Sequence, residues 1–388
     1  MTLIAALTGV AMANAANPKH EVLDTLRSYQ LQDVQVVATR ASKKTPMAFT
    51  NITQEQIKRL NTGRDIPFLL TTMPSVVTTS DAGNGMGYTG LRIRGTDASR
   101  INVTANGIPL NDAESSQLYW VNMGDFASSL GSIQVQRGVG TSTNGAGAFG
   151  ATVNMQTENI GLQPWAAFDL AGGSYLSHKE TVRFSTGLMG GHWGIQGRLS
   201  NIGSKGYVDR ASTKLNSYFL QAGYFGENTV VKFITFNGVE QTYHAWDFAS
   251  KYDQEQHGRT YNPSGKMEKD AAGNPQFYKN QNDNYHQQHY QLLWNQLLGA
   301  DWNLNLALHY TKGDGYYEQY KKNKKLALYG LDAAATKAKS SLVREKWLDS
   351  YFYGAVASLN YDNKRNFSAT LGEGWNKYSN DHFGVLRG

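Results

Sequence analysis

The sequence contains no cysteine, so disulfides and thiolate metal sites are excluded. An oxidising compartment is compatible with that absence. No apolar run is long enough for a transmembrane helix, which needs about 20 residues. The net charge is +6, but lysine and arginine are scattered. No basic stripe with interleaved aromatics marks a nucleic-acid surface. There is no G-x-S-x-G nucleophile elbow. Leucine and alanine do not dominate as they would in a helical protein. What is abundant instead is glycine, 40 residues, and aromatics, 12% of the chain. Many short strands punctuated by glycine and aromatics are the composition of closed all-β architectures.

One glycine cluster invites a different reading. Gly145, Gly147 and Gly150 are spaced G-x-G-x-x-G, as in a loop that cradles a dinucleotide pyrophosphate. That chemistry requires a helix to open inside the loop. The residues that follow, Ala151 to Thr157, alternate apolar and polar with β-branched side chains, which predicts a strand. The glycines then serve a tight backbone path with φ > 0.

Residues 1–15 are apolar and end in Ala13-Asn14-Ala15, a small-residue cleavage pattern resembling a signal peptide. The basic n-region is missing, so the chain reads as beginning inside its signal. Residues 16–40 are polar, apart from the extended segment Val34-Gln35-Val36-Val37-Ala38, suited to joining a partner's sheet edge. Residues 41–160 form an α+β pattern. Thr53-Gln54-Glu55-Gln56 is a capping box, Asp65-Ile66-Pro67 opens a second helix, and Asp125 is placed to cap a helix running to Leu130. Strands are predicted at 91–95 and 101–105, with Asn106-Gly107 as a turn. Two loops, 81–90 and 111–122, carry Tyr88, Tyr119 and Trp120.

From about residue 161 the pattern changes. In "WNLNLALHYT", Trp302, Leu304, Leu306, Leu308 and Tyr310 share one face, while Asn303, Asn305 and His309 share the other. Aromatics at both ends of an apolar stripe are the mark of a strand facing lipid between two girdles. Nine such strands are predicted, at 165–173, 179–188, 192–203, 213–225, 229–240, 284–298, 301–312, 347–361 and 366–378. Short turns alternate with longer loops at 204–212, 241–283 and 313–346, as in outer-membrane barrels; only the first connection, 174–178, is short where a long one is expected. A soluble β-sandwich has no reason to keep that parity. Nine strands do not complete an even-numbered barrel, so 161–388 reads as the N-terminal part of one. The fold class is a transmembrane β-barrel, partial, with an N-terminal α+β plug.

Together these parts resemble a TonB-dependent outer-membrane receptor. "VQVVATR", from Val34 to Arg40, is similar to the TonB box. "LRIRG", Leu91 to Gly95, matches the family's I-R-G plug strand. "SIQVQRGVGTSTNGAGAFGATVNMQT" matches the end of the plug, with Gln134, Val139 and Asn144 standing where the family commonly has Glu, Pro and Tyr. The resemblance implies a transporter of the Gram-negative outer membrane, not an enzyme, and no cofactor. It implies that the periplasmic protein TonB engages residues 34–38. It implies that a ferric chelate, haem or cobalamin binds through Tyr88, Tyr119 and Trp120, with Tyr243 and Trp246 of the longest loop. A glycan importer of the same family is the alternative. Arg94 and Arg137 are implied to pair with carboxylates of the inner barrel wall, locking the plug.

No metal site is predicted. His286 and His289 lie three apart on a strand and face opposite sides. Lys321-Lys322-Asn323-Lys324-Lys325 reads as a solvated loop, within reach of lipopolysaccharide phosphates in an outer leaflet.

Overall fold

The computed structural model describes residues 40–41, 45–140, 149–331 and 338–387. The signal-like segment, residues 34–38, Gly145 and Gly147 lie outside them. The first unit runs through β1 (Ala48–Thr53), α1 (Gln54–Leu60), α2 (Ile66–Leu69), β2 (Val76–Ser80), β3 (Thr89–Ile93), β4 (Ile101–Ala105), β5 (Ile108–Pro109), β6 (Leu130–Arg137) and β7 (Ala151–Thr157). Its main sheet has the order β1-β6-β7-β4-β5, with β4 and β7 parallel. The capping box forms: Thr53 Oγ1 accepts from Gln56 N at 3.4 Å, and Gln56 Oε1 accepts from Thr53 N at 2.9 Å. Asn106 and Gly107 have φ of 55° and 81°, both positive as a type I′ turn demands.

A strand, β7, follows Gly150, so the nucleotide-loop geometry is absent there. Gly150 is required for a reason other than positive φ. A Cβ on it would stand 2.8 Å from Thr96 Cβ, so the need is close approach. Asp125 also departs from expectation. Only a 3-10 turn, Phe126–Ser129, follows it, and Asp125 makes no side-chain cap. It sits at φ 49° with its carboxylate turned toward the barrel.

The second unit is one antiparallel sheet of nine strands in chain order: β8 (Trp165–Gly173), β9 (Ser177–Ser185), β10 (Trp193–Ser204), β11 (Thr213–Phe225), β12 (Thr229–Tyr243), β13 (Asn282–Leu298), β14 (Trp302–Lys325), β15 (Lys339–Asp362) and β16 (Ser368–Arg387). Alternation holds. Trp302, Leu308 and Tyr310 are exposed on the outer face, while Asn303 and His309 are buried on the inner one. Cross-strand aromatics line both ends of the outer stripe. Trp302 meets Tyr361 at 4.8 Å at one end; Tyr310 meets Tyr290 at 6.1 Å and Tyr351 at 6.4 Å at the other. This is a lipid-facing band between girdles, not one layer of a soluble sandwich.

Most of the segment 313–346 is strand: 313–325 continue β14 and 339–346 belong to β15. β14 and β15 stay paired through Lys325↔Lys339, and β16 runs to Arg387. Beyond the girdle both faces meet polar surroundings, so the apolar alternation ends while the hydrogen-bonded ladder continues.

The plug packs against the inner face of this sheet. Ile57, Leu69, Ile93, Val103, Phe126 and Ile133 share one buried cluster with Phe219, Ile234, Phe236 and Leu293 of the wall. Phe126 and Phe236 lie 4.6 Å apart, centre to centre. Gly238 of β12 admits the plug backbone itself: a Cβ there would collide with the Asn122 carbonyl.

Candidate ligand chamber and plug contacts

Among the polar contacts between plug and wall, two centre on buried carboxyls. The first centres on Asp125, whose side chain is wholly buried. Lys179 Nζ lies 2.7 Å from Oδ1, and Arg198 Nη1 3.6 Å from Oδ2. Alternation on β9 and β10 puts Lys179, Thr181, Arg198 and Ser200 on the same inner face. Thr181 Oγ1 donates to Oδ2 at 2.7 Å and Ser200 Oγ at 2.6 Å; Ser128 Oγ donates to Oδ1 at 2.7 Å and Asn61 Nδ2 at 3.1 Å. Arg198 also reaches the backbone carbonyls of Gly124 and Asp125. Burial alone would raise the Asp125 pKa, but Lys179 and Arg198 outweigh it and hold the carboxyl below its usual range.

This is the reverse of the expected lock. Arg94 Nη1 donates to the Arg137 carbonyl at 3.2 Å, and Arg137 Nη1 to Thr50 Oγ1 at 2.8 Å. Among the described residues neither forms an ion pair with a barrel carboxylate. Arg94 follows the end of β3 and Arg137 ends β6, and both guanidiniums find acceptors within the plug. Gln134, in place of the family's usual Glu, is likewise internal: it bonds the backbone N–H and carbonyl of Ala41.

The second contact lies farther out and has no cation. Asp65 receives Thr89 Oγ1 at 2.8 Å, Tyr88 OH donates to Asp283 of β13, and Thr242 Oγ1 donates to Glu240 of β12 at 3.2 Å. Among the described residues no ion pair reaches these three carboxyls. Burial pushes Asp65 up to about 8, against a smaller opposing effect of the Thr89 hydroxyl.

Above this contact is a group of rings. Trp246 meets Tyr88 edge-on at 5.2 Å, stacks on His244 at 3.9 Å, and meets Tyr317 of β14 edge-on at 6.1 Å. His244 is 1% exposed, and its ring is held neutral by burial, with a pKa of about 3. Tyr119 is exposed on the neighbouring plug loop. Trp120 belongs elsewhere: it is buried in the plug core, which anchors its loop. Tyr243 is also a correction. It is buried, and its hydroxyl donates to the carbonyls of Ser264 and Tyr278, at 3.3 and 2.8 Å, tying the long loop to the end of β12. Of the five expected ligand residues, Tyr88 and Trp246 are in contact, Tyr119 is exposed, and Trp120 and Tyr243 are buried.

His244, Tyr317, Lys321, Arg344 and Lys346 were not legible as chamber residues, because the last four lie where the apolar alternation has ended. Period-two parity carried past Thr311 places Tyr317 and Lys321 on the inner face. The histidines of β13 behave as strand geometry requires. His286 faces Asp314 on the outer side at 3.6 Å, and His289 stacks inside on Phe236 at 4.4 Å. No group of three metal-ligating side chains occurs among the described residues.

The family described as TonB-dependent Receptor Plug Domain matches residues 41–152. Those residues are the first unit described above, which matches that plug domain family. The rest of the chain agrees in fold with such receptors. The ferric citrate transporter FecA in its unliganded form has a TM-score of 0.67 at 16% identity, over 98% of this chain and 52% of that one. The copper transporter OprC gives 0.65 at 12%, over 89% and 48%. The ferric preacinetobactin receptor BauA from Acinetobacter baumannii gives 0.64 at 15%, over 88% and 48%. The chain thus spans about half the length of these receptors. Comparison with curated protein sequences returned no match. TonB-dependent receptors occupy the Gram-negative outer membrane, and the outward apolar band is the surface this sheet presents to that bilayer.

Proposed function

We propose that the protein takes part in TonB-dependent uptake of a scarce nutrient, a metal chelate, across the outer membrane. The observation that carries this reading is the chamber itself. Tyr88 of the plug meets Trp246 of the long loop edge-on at 5.2 Å, over a plug seated in the barrel wall, and Tyr119 is exposed on the neighbouring plug loop. No side-chain arrangement there performs covalent chemistry. Its function is to hold a ligand on the plug until the plug moves. The similar receptors FecA, BauA and OprC are named for ferric citrate, ferric preacinetobactin and copper, which supports a metal-bearing ligand. The segment Val34–Ala38 is the site that TonB engages, by adding its own strand. Lys324 and Lys325, at the exposed tip of β14, are the residues placed to meet lipopolysaccharide phosphates.

Val36→Pro tests the coupling. Proline removes a strand donor and fixes φ. Uptake should fall to the level of a TonB-deficient strain, while ligand binding at the surface stays unchanged. Normal transport by this variant would remove the coupling assignment.

A further inference from the structure

The charges of β14 and β15 are sorted by face. Tyr317 pairs with Lys346, Gln319 with Arg344, and Lys321 with Leu342, so these six share the inner face. Glu318 and Glu345 pair with each other on the opposite face. There Glu345 is taken by Arg387 at 2.8 Å and by Trp347 Nε1 at 2.9 Å, and Glu318 accepts from the Tyr278 hydroxyl. The wall's acids thus point away from the chamber, and its three cations point in.

Those cations lack acidic partners. Among the described residues, none of Lys321, Arg344 and Lys346 forms an ion pair. Arg344 spends Nε and Nη2 on one neutral acceptor, Gln319 Oε1, at 3.3 and 3.0 Å. Lys346 Nζ lies 5.5 Å from the centre of the Tyr317 ring. Arg344 and Lys346 both act on Lys321 as like charges; Asp247 opposes them, but its carboxylate accepts from Ser264 at 2.8 Å. Three like charges gathered on a half-buried wall repel one another and raise the local concentration of anions. The same patch adjoins the rings. Tyr317 lies beneath Lys346 and beside Trp246, and Trp246 stacks on His244, whose two buried ring nitrogens have no hydrogen-bond partner.

Resting on the receptor reading above, we infer that the chamber selects a multiply anionic metal chelate with planar donor arms. Lys321, Arg344 and Lys346 receive the charge, and Trp246, backed by the buried His244, receives the rings together with Tyr317.

The test uses the full-length receptor in detergent and two iron(III) chelates of similar size: a trianionic tris(catecholate) and a neutral tris(hydroxamate). Binding is read by quenching of tryptophan fluorescence. The anionic chelate should bind at least about tenfold more tightly at low ionic strength, and the advantage should shrink as salt is added. K321Q/R344Q/K346Q should abolish the preference. K322Q/K325Q/K339Q, with the same loss of three charges on the opposite face, should retain it. Heat-modifiable mobility reports whether each variant has folded, and K346Q alone, expected to lose about threefold, serves if the triple variant has not. Equal binding of both chelates, or a preference that survives in the triple variant, overturns the inference and leaves the receptor reading intact. Binding of neither chelate overturns it as well, whereas the receptor reading stands or falls on uptake by Val36→Pro.

Discussion

Asp65 and Asp125 both reach from the plug toward the barrel wall, and both residues are 8% exposed. Asp125 meets two cations and four hydrogen-bond donors, and stays ionised well below the usual carboxylate range. Asp65 meets one hydroxyl and lies near the carboxyl of Glu240, and burial keeps it protonated up to about pH 8. Equal withdrawal from water therefore gives opposite charge states. The partners decide, since a buried charge persists only where its lost hydration is replaced. One contact binds the plug by charge. At the other, burial without a cation leaves Asp65 neutral, and hydroxyl hydrogen bonds alone make the contact.

The largest effect should come from Asp125→Ala. It strands Lys179 and Arg198 without a counter-charge, a loss of about 3–5 kcal/mol. Protease digestion of the folded receptor should then cut the plug faster. Replacing all three, D125L/K179M/R198M, should restore most of the resistance. If it does not, the hydroxyl and backbone bonds rather than the ion pair hold this contact.

The next effect concerns pH, and the two aspartates should respond with opposite sign. Below about pH 4 Asp65 is protonated both folded and unfolded, so it makes no difference. From 3.8 up to about 8 the unfolded chain gives up the proton while the folded one retains it. Stability falls progressively across that window. Asp65→Asn should flatten this decline in thermal melts at pH 5 to 8. Asp125, with its pKa lowered on folding, contributes stability above the ordinary carboxylate range and loses it as pH falls through and below that range. A wild-type decline toward alkaline pH that survives in Asp65→Asn would show that another group carries it.

The smallest effects come from single hydroxyls. Ser200→Ala removes a 2.6 Å bond to an ionised carboxylate and should cost about 1.5–3 kcal/mol. Thr89→Ala removes a 2.8 Å bond to a protonated one and should cost about 1 kcal/mol. Equal costs, measured by denaturant midpoint, would mean that both carboxyls carry the same charge.

Sequence periodicity was a good guide wherever one side of a strand faces lipid. β8 runs from Trp165 to Gly173 and β11 from Thr213 to Phe225, as the alternation predicts, and the Thr53 capping box forms. It failed at Lys312, where the outer face becomes polar and a continuing strand looks like a loop. Residues of the chamber were therefore sought among conspicuous aromatics. That found Tyr88 and Trp246 but also took Trp120 and Tyr243, whose rings are buried. Asp125 was misread for a different reason. An aspartate before Phe126 looks like a helix cap, and only the fold brings Lys179 and Arg198 to it, more than fifty residues along the chain.

Gly238 limits how the plug can leave its seat. On the inner face of β12 it is a notch, with Phe236 one step along the strand and Glu240 one step the other way. The Asn122 carbonyl occupies that notch. Sliding along the strand in either direction drives this carbonyl into a full side chain. A pull toward the periplasm must first draw Asn122 away from the wall, toward the barrel axis, before the plug gains any travel.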